Sequence, residues 1–296
     1  MAGAHVAQRR TIGTLAVLAA IVALALVWGV VREQRAVSGV TGWISPTRRD
    51  RLQAIYEVGR ARGNLPGVFT VVGDSISADA RFLQPIGRGD YDLGEYGALQ
   101  AAIDAFWQPN GRGEPPFAAR SWAVAVGWTT ADVLDPAWGV FGVCGAGETP
   151  LACEYRTARP SVALIMLGTN DLAAGRPVDS YRANLQRILD LSLEMGVIPV
   201  LSTIPSQPVS AERDARVSDF NTVVRDLAAE YAIPLWDYWR ALQNLPERGI
   251  SADGVHPSGP PDGRAAVFDD EHLAYGYTVR NLGALDALET VRRALD

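Results

Sequence analysis

The chain has 296 residues and a formal charge of −6, from 33 acidic and 27 basic side chains, and every one of the basic residues is arginine. Without lysine there is no Schiff-base lysine, no P-loop lysine and no Ser–Lys dyad, and two cysteines with three histidines are poor material for a metal centre. The acidic balance, with no arginine cluster following an aromatic stripe, argues against a nucleic-acid partner.

Residues 1–10 form a short tail ending in Arg9-Arg10. Thr11–Val31 follows as 21 residues without a charge, closed by Arg32. That length spans a bilayer core and exceeds the core of most cleaved signal peptides, so the reading is a transmembrane signal anchor. Ala23-Leu24-Ala25 resembles a cleavage site, which leaves secretion after cleavage as the alternative. The weak excess of arginine before the span puts residues 1–10 in the cytoplasm and the rest of the chain outside it. Residues 32–62 then serve as a stalk and a first helix, with Ser45-Pro46 as its start signal. Residues 63–296 suffice for one domain with a substantial core.

Within that domain five short apolar runs are expected as strands: Val68–Val72, Trp122–Val126, Val162–Leu167, Ile198–Ile204 and Ile233–Trp236. Their largely unbroken apolar character suits strands buried on both faces, as in a parallel sheet. Helical spacing predicts helices over Arg48–Arg62, Ser180–Met195, Ala211–Tyr231 and about Asn281–Leu295. Alternating strand and helix implies a three-layer α/β/α domain whose ligands gather beyond the carboxyl ends of the strands.

Three residues reach that edge directly after strands. Ser75 follows the first, in Gly73-Asp74-Ser75; Gly127 follows the second; Asn170 follows the third, in Gly168-Thr169-Asn170-Asp171. A serine so placed is often only a helix cap, and Asp171 reads equally as the cap of its next segment. The surroundings of Ser75 are not a Gly-x-Ser-x-Gly elbow. Between the second and third strands, Cys144 and Cys153 stand in a Gly- and Pro-containing stretch that reads as loop, and outside the cytoplasm such a pair forms a disulfide. Near the end, Asp253-Gly254-Val255-His256-Pro257 places a carboxylate three residues before an imidazole. A serine hydroxyl needs a base hydrogen-bonded to it and an acid to orient that base, so Ser75, His256 and Asp253 supply the parts of a serine nucleophile. Asp269 and His272 repeat the Asp-x-x-His spacing, with a charged surface turn as their plain reading.

Together these segments, from about Val68 to Pro257, resemble the SGNH/GDSL hydrolase superfamily, in its order of blocks. The resemblance implies a flavodoxin-like, mainly parallel five-stranded sheet. It also implies Ser75 as nucleophile, His256 as base, Asp253 as its orienting acid, and an oxyanion hole from the Ser75 and Gly127 N–H groups and the Asn170 amide. No cofactor is implied. Two departures stand out. Val124-Ala125-Val126 occupies the lead-in to the second block, where the family has Asn-x-Gly, and a long stretch over residues 258–271 separates His256 from the last helix and is expected to overhang the site. The expected activity is serine-dependent hydrolysis of carboxylic esters, with acylated envelope glycans as one substrate class. An O-acyltransferase acting on such glycans and a non-catalytic glycan-binding module are the alternatives. Trp107, Trp122, Trp128, Trp138 and Phe141 could stack on a sugar, with core packing as their ordinary role.

Overall fold

The computed structural model describes residues 38–40 and 45–296. The tail, the expected membrane anchor at 11–31 and most of the stalk lie outside the described residues. Among the described residues no helix is long and apolar enough to cross a membrane.

Helix α1 (Pro46–Ala61) starts as the Ser45-Pro46 signal predicts, with Ser45 Oγ accepting from Arg48 N–H at 3.2 Å. Its apolar side buries Leu52 and Ile55, and Gly59 meets the backbone of Gly196 so closely that a side chain there would collide. Strand β1 (Leu65–Gly73) follows, then the short helices α2 (Ser75–Ala78), α3 (Gln84–Gly87) and α4 (Gln100–Ala105). A long irregular stretch with two short 3-10 turns leads to α5 (Pro150–Ala158), β2 (Pro160–Met166) and α6 (Thr169–Ala173). The chain continues through α7 (Val178–Glu194), β3 (Ile198–Ser202), α8 (Ala211–Glu230), β4 (Leu235–Trp236), α9 (Tyr238–Leu242) and α10 (Gly276–Leu295).

The four strands pair in parallel in the order β1-β2-β3-β4. Every residue of β2 and β3 is buried, which is why their sequences read as unbroken apolar runs. Helices α1 and α10 pack on each other, as do α7 and α8; α1, α7 and α8 all touch β3. The side chain of Asn221, on α8, closes the end of β3: it accepts from Ile204 N–H at 2.8 Å and donates to Ile204 O at 2.9 Å.

The expected fifth strand, Trp122–Val126, is not one. It contributes a single parallel bridge between Val124 and Gly73. The backbone groups that would extend the ladder are spent elsewhere: Trp122 N–H donates to Glu154 Oε2 at 2.8 Å and Ala123 N–H to Ser121 Oγ at 3.1 Å. Val126 then turns out to solvent, 77% exposed. The sheet is therefore four-stranded, and the bridge lies on the outer side of β1, so the five segments cross in the flavodoxin-like order second, first, third, fourth, fifth. A second difference concerns α5, which occupies ground read as loop. Thr149 caps it, accepting from Ala152 N–H at 3.2 Å, and Pro150 stands at its first turn. Cys153 projects from this helix and is joined to Cys144 in a disulfide, as expected.

Candidate active site

Strand β1 delivers the first site residue. Asp74 caps α2 through Oδ1, which accepts from Ile76 N–H at 2.9 Å, and Ser75 is the first residue of that helix. The cap role open to Ser75 is thus filled by its neighbour. Ser75 Oγ lies 2.9 Å from His256 Nε2.

His256 is presented by a tight hairpin. Ile250 pairs with Pro257 across it, and Ser251 N–H donates to His256 O at 2.8 Å. Gly254 turns the loop at φ +72°, where a Cβ would stand 2.6 Å from Val209 N, so a glycine is required on both counts. Asp253 Oδ1 gathers Val255 N–H and His256 N–H, each at 2.9 Å, and Ser251 Oγ–H at 2.8 Å. Oδ2 faces His256 Nδ1 at 2.7 Å. Partial burial would raise the Asp253 pKa, but these donors hold it well below the usual carboxylate range. A carboxylate on Nδ1 requires the proton there, which leaves the Nε2 lone pair aimed at Ser75. The pair is open to water, with side-chain exposures of 34% for His256 and 50% for Asp253.

Asn170 and Gly127 come together through a third residue. Asn170 Nδ2 donates to Trp128 O at 2.9 Å, which uses one amide proton and leaves the other. Gly127 stands exposed at φ +81° in the turn immediately before Trp128. Asp171 does not cap its own helix. It reaches the same turn, accepting from Thr130 N–H at 2.8 Å and Thr130 Oγ1–H at 2.6 Å, and pairs with Arg176 at 2.6 Å. Burial pushes the Asp171 pKa up against those partners. Gly168, at φ +131°, lets β2 turn into α6 beneath Tyr181, whose hydroxyl donates to Leu167 O at 2.9 Å.

The second Asp-x-x-His pair is elsewhere engaged. His272 Nδ1 meets Asp269 at 2.7 Å and Nε2 meets Asp262 at 3.1 Å, so neither nitrogen is free to act as a base. The Asp269 and Asp262 carboxylates raise the His272 pKa. Nor does the whole 258–271 stretch hang over the site: Ala265–Phe268 is buried, and Asp92 exchanges backbone hydrogen bonds with Ala266 and Phe268. Of the aromatic residues considered for sugar stacking, Trp128 is buried, while Trp107, Trp138 and Phe141 are exposed.

Two residues of this region escaped the sequence reading. Asp74 is fully buried, one of its oxygens has no partner, and burial pushes its pKa up to about 6. Arg280, on α10, is buried against Phe82, Trp236 and Tyr238 and donates to Ser77 Oγ at 2.8 Å. An arginine in an apolar helical stretch was the available signal for it.

Among solved structures, the chain is similar to a lipase/acylhydrolase from Enterococcus faecalis, at 20% identity over 76% of this chain and 95% of that one, TM-score 0.47. It is similar to a G-D-S-L lipolytic protein from Veillonella parvula, at 18% identity over 74% and 96%, TM-score 0.46. It is also similar to a catalytic mutant of an acetylxylan esterase from Geobacillus stearothermophilus, at 16% over 76% and 94%, TM-score 0.45. No curated protein matches. The model of the GDSL-like Lipase/Acylhydrolase family matches residues 71–260, from β1 through the histidine hairpin. By that match the chain belongs to the GDSL-like Lipase/Acylhydrolase family, and is a hydrolase acting on ester bonds.

Proposed function

We propose that the chain hydrolyses carboxylic esters through Ser75, His256 and Asp253. The observation that carries this reading is the unbroken line from Ser75 Oγ to His256 Nε2 at 2.9 Å and from His256 Nδ1 to Asp253 Oδ2 at 2.7 Å. His256 takes the Ser75 proton as Oγ attacks the ester carbonyl, and Asp253 stabilises the imidazolium that forms. The tetrahedral oxyanion is met by the Ser75 and Gly127 N–H groups and by the second amide proton of Asn170. His256 then gives its proton to the departing alcohol. Water, deprotonated by the same imidazole, releases the acid and restores Ser75–OH. Small acyl esters, including those on carbohydrates, are the proposed substrates, because the pair is open enough to admit a bulky alcohol. The Cys144–Cys153 disulfide supports a location outside the cytoplasm.

The test is hydrolysis of 4-nitrophenyl acetate by the purified protein, beside Ser75→Ala, His256→Ala and His272→Ala. The first two lose activity by about three orders of magnitude or more, and the third keeps it. Turnover unchanged in Ser75→Ala overturns the mechanism.

A further inference from the structure

A cleft of about 470 Å³ opens between the helix that carries Asn170 and the start of α8. One wall is Leu172 and Ala173, from the helix that carries Asn170; another is Val209 and the start of α8. Val209 N–H donates to Gly254 O at 3.2 Å, so this wall is continuous with the hairpin that presents His256. The cleft is thus bounded by the helix that carries Asn170 and by a segment hydrogen-bonded to the hairpin that presents His256.

Its charge is unusual for an acidic chain. Arg213 and Arg216 both line it, three residues apart on one face of α8. Neither makes an ion pair among the described residues. Arg213 Nη2 leans on Ala173 O at 3.5 Å and Arg216 Nη2 donates to Arg176 O at 3.1 Å. Several other partly sheltered arginines are spent on acids: Arg112 on Glu154, Arg176 on Asp171, Arg225 on Asp237, Arg248 on Asp214. A carbonyl anchor fixes a guanidinium in place while leaving its charge and its other donors unspent. Glu212 is the one acid in the lining, exposed at the rim, and it offsets only one of the two charges. Two like charges on adjacent turns of one helix repel until an anion lies between them.

We propose that Arg213 and Arg216 form an anion-recognising subsite, so that the preferred ester carries a carboxylate. This rests on the reading of Ser75 as nucleophile. The carboxylate can belong to the acyl group, as in a half-ester of a dicarboxylic acid, or to the alcohol, as in an acylated uronic acid. Both present the same group to the same two guanidiniums.

Two matched pairs separate these sources: 4-nitrophenyl hemiglutarate against 4-nitrophenyl valerate, and the acetyl ester of methyl glucuronide against that of methyl glucoside. In one pair the charged ester has the higher kcat/KM by about tenfold at low ionic strength, and the ratio shrinks with added salt. Arg213→Gln with Arg216→Gln brings that ratio close to one, while the corresponding double lysine variant retains most of it. A ratio that the glutamine pair leaves unchanged overturns the subsite while Ser75-dependent turnover of the neutral ester stands. If no ester is turned over, calorimetric titration of glutarate and methyl glucuronide into the Ser75→Ala protein still decides. Binding that the glutamine pair abolishes supports the subsite; no binding, or binding it leaves intact, refutes it.

Discussion

Asp74 sits one residue before the proposed nucleophile in an unfavourable place for a charge: fully buried, one oxygen hydrogen-bonded to Ile76 N–H and the other without a partner. Burial is the main cause of its raised pKa of about 6, and Arg280 moderates it. In the unfolded chain the same carboxyl titrates near 3.8. Between those values the folded state holds more proton than the unfolded one, so this group's contribution to stability falls as pH rises from about 4 to about 6, and is flat above. Asp74→Asn removes that loss. The variant is expected to gain about 2 kcal/mol over the parent at pH 8 and much less at pH 4, read from denaturant unfolding at both. A gain that does not grow with pH would show that Asp74 is not ionising in place. The Asp74 charge was not legible in the sequence, where Gly73-Asp74-Ser75 draws attention to the serine. The burial of Asp74 depends on distant residues such as Arg280 and His256 arriving from elsewhere in the chain, and no local pattern records that.

Among elements, the turn carrying Gly127 has little regular structure of its own. It is fixed to α6 by Asn170 on Trp128 O and by Asp171 on both donors of Thr130. The Gly168–Asp171 motif was legible as a strand-to-helix turn, but its grip on the Gly127 segment was not, since it joins residues about forty apart in sequence. The same long-range claims on backbone donors explain why Trp122–Val126 reads as a strand and is not one: apolar character is local, whereas Glu154, which takes Trp122 N–H, comes from α5. Thr130→Val keeps the shape and removes one charge-assisted bond, leaving a buried acid less satisfied. It is expected to cost about 1–3 kcal/mol of stability and to lower kcat with little change in KM; a rise in KM with kcat unchanged would separate the turn from the proposed oxyanion site. The clasp of His272 between Asp262 and Asp269 works on the opposite stretch. Its raised pKa means stability fully present below about 6.5 and lost as pH rises through the higher folded value. His272→Ala should therefore lower the melting temperature at pH 6 and leave it nearly unchanged at pH 9, with equal losses at both arguing against an ionic clasp.

At the scale of the whole domain, the parallel order of β1 to β4 and the helices around them were legible because fully buried strands and capped amphipathic helices leave local signatures. The exception is instructive. Thr149-Pro150 is the same start signal as Ser45-Pro46, yet glycines before it made the whole Cys144–Cys153 region read as loop. Helix α5 matters beyond its length. It carries Glu154, which binds Thr70 on β1 at 2.6 Å, Trp122 N–H at 2.8 Å and Arg112 at 2.8 Å, so it ties the sheet edge to the irregular stretch leading to Gly127. The disulfide fastens the preceding loop to this helix through a separation of nine residues. A closed loop that short limits the unfolded chain only modestly, by about 2–3 kcal/mol, which in a domain of this size corresponds to about 5–10 °C. Reduction under native conditions, or Cys144→Ser with Cys153→Ser, should lower the melting temperature by that amount while leaving Ser75-dependent turnover measurable at 25 °C. Complete unfolding on reduction would mean that the anchoring of α5, with the Glu154 network behind it, depends on the covalent link and not on its own buried contacts.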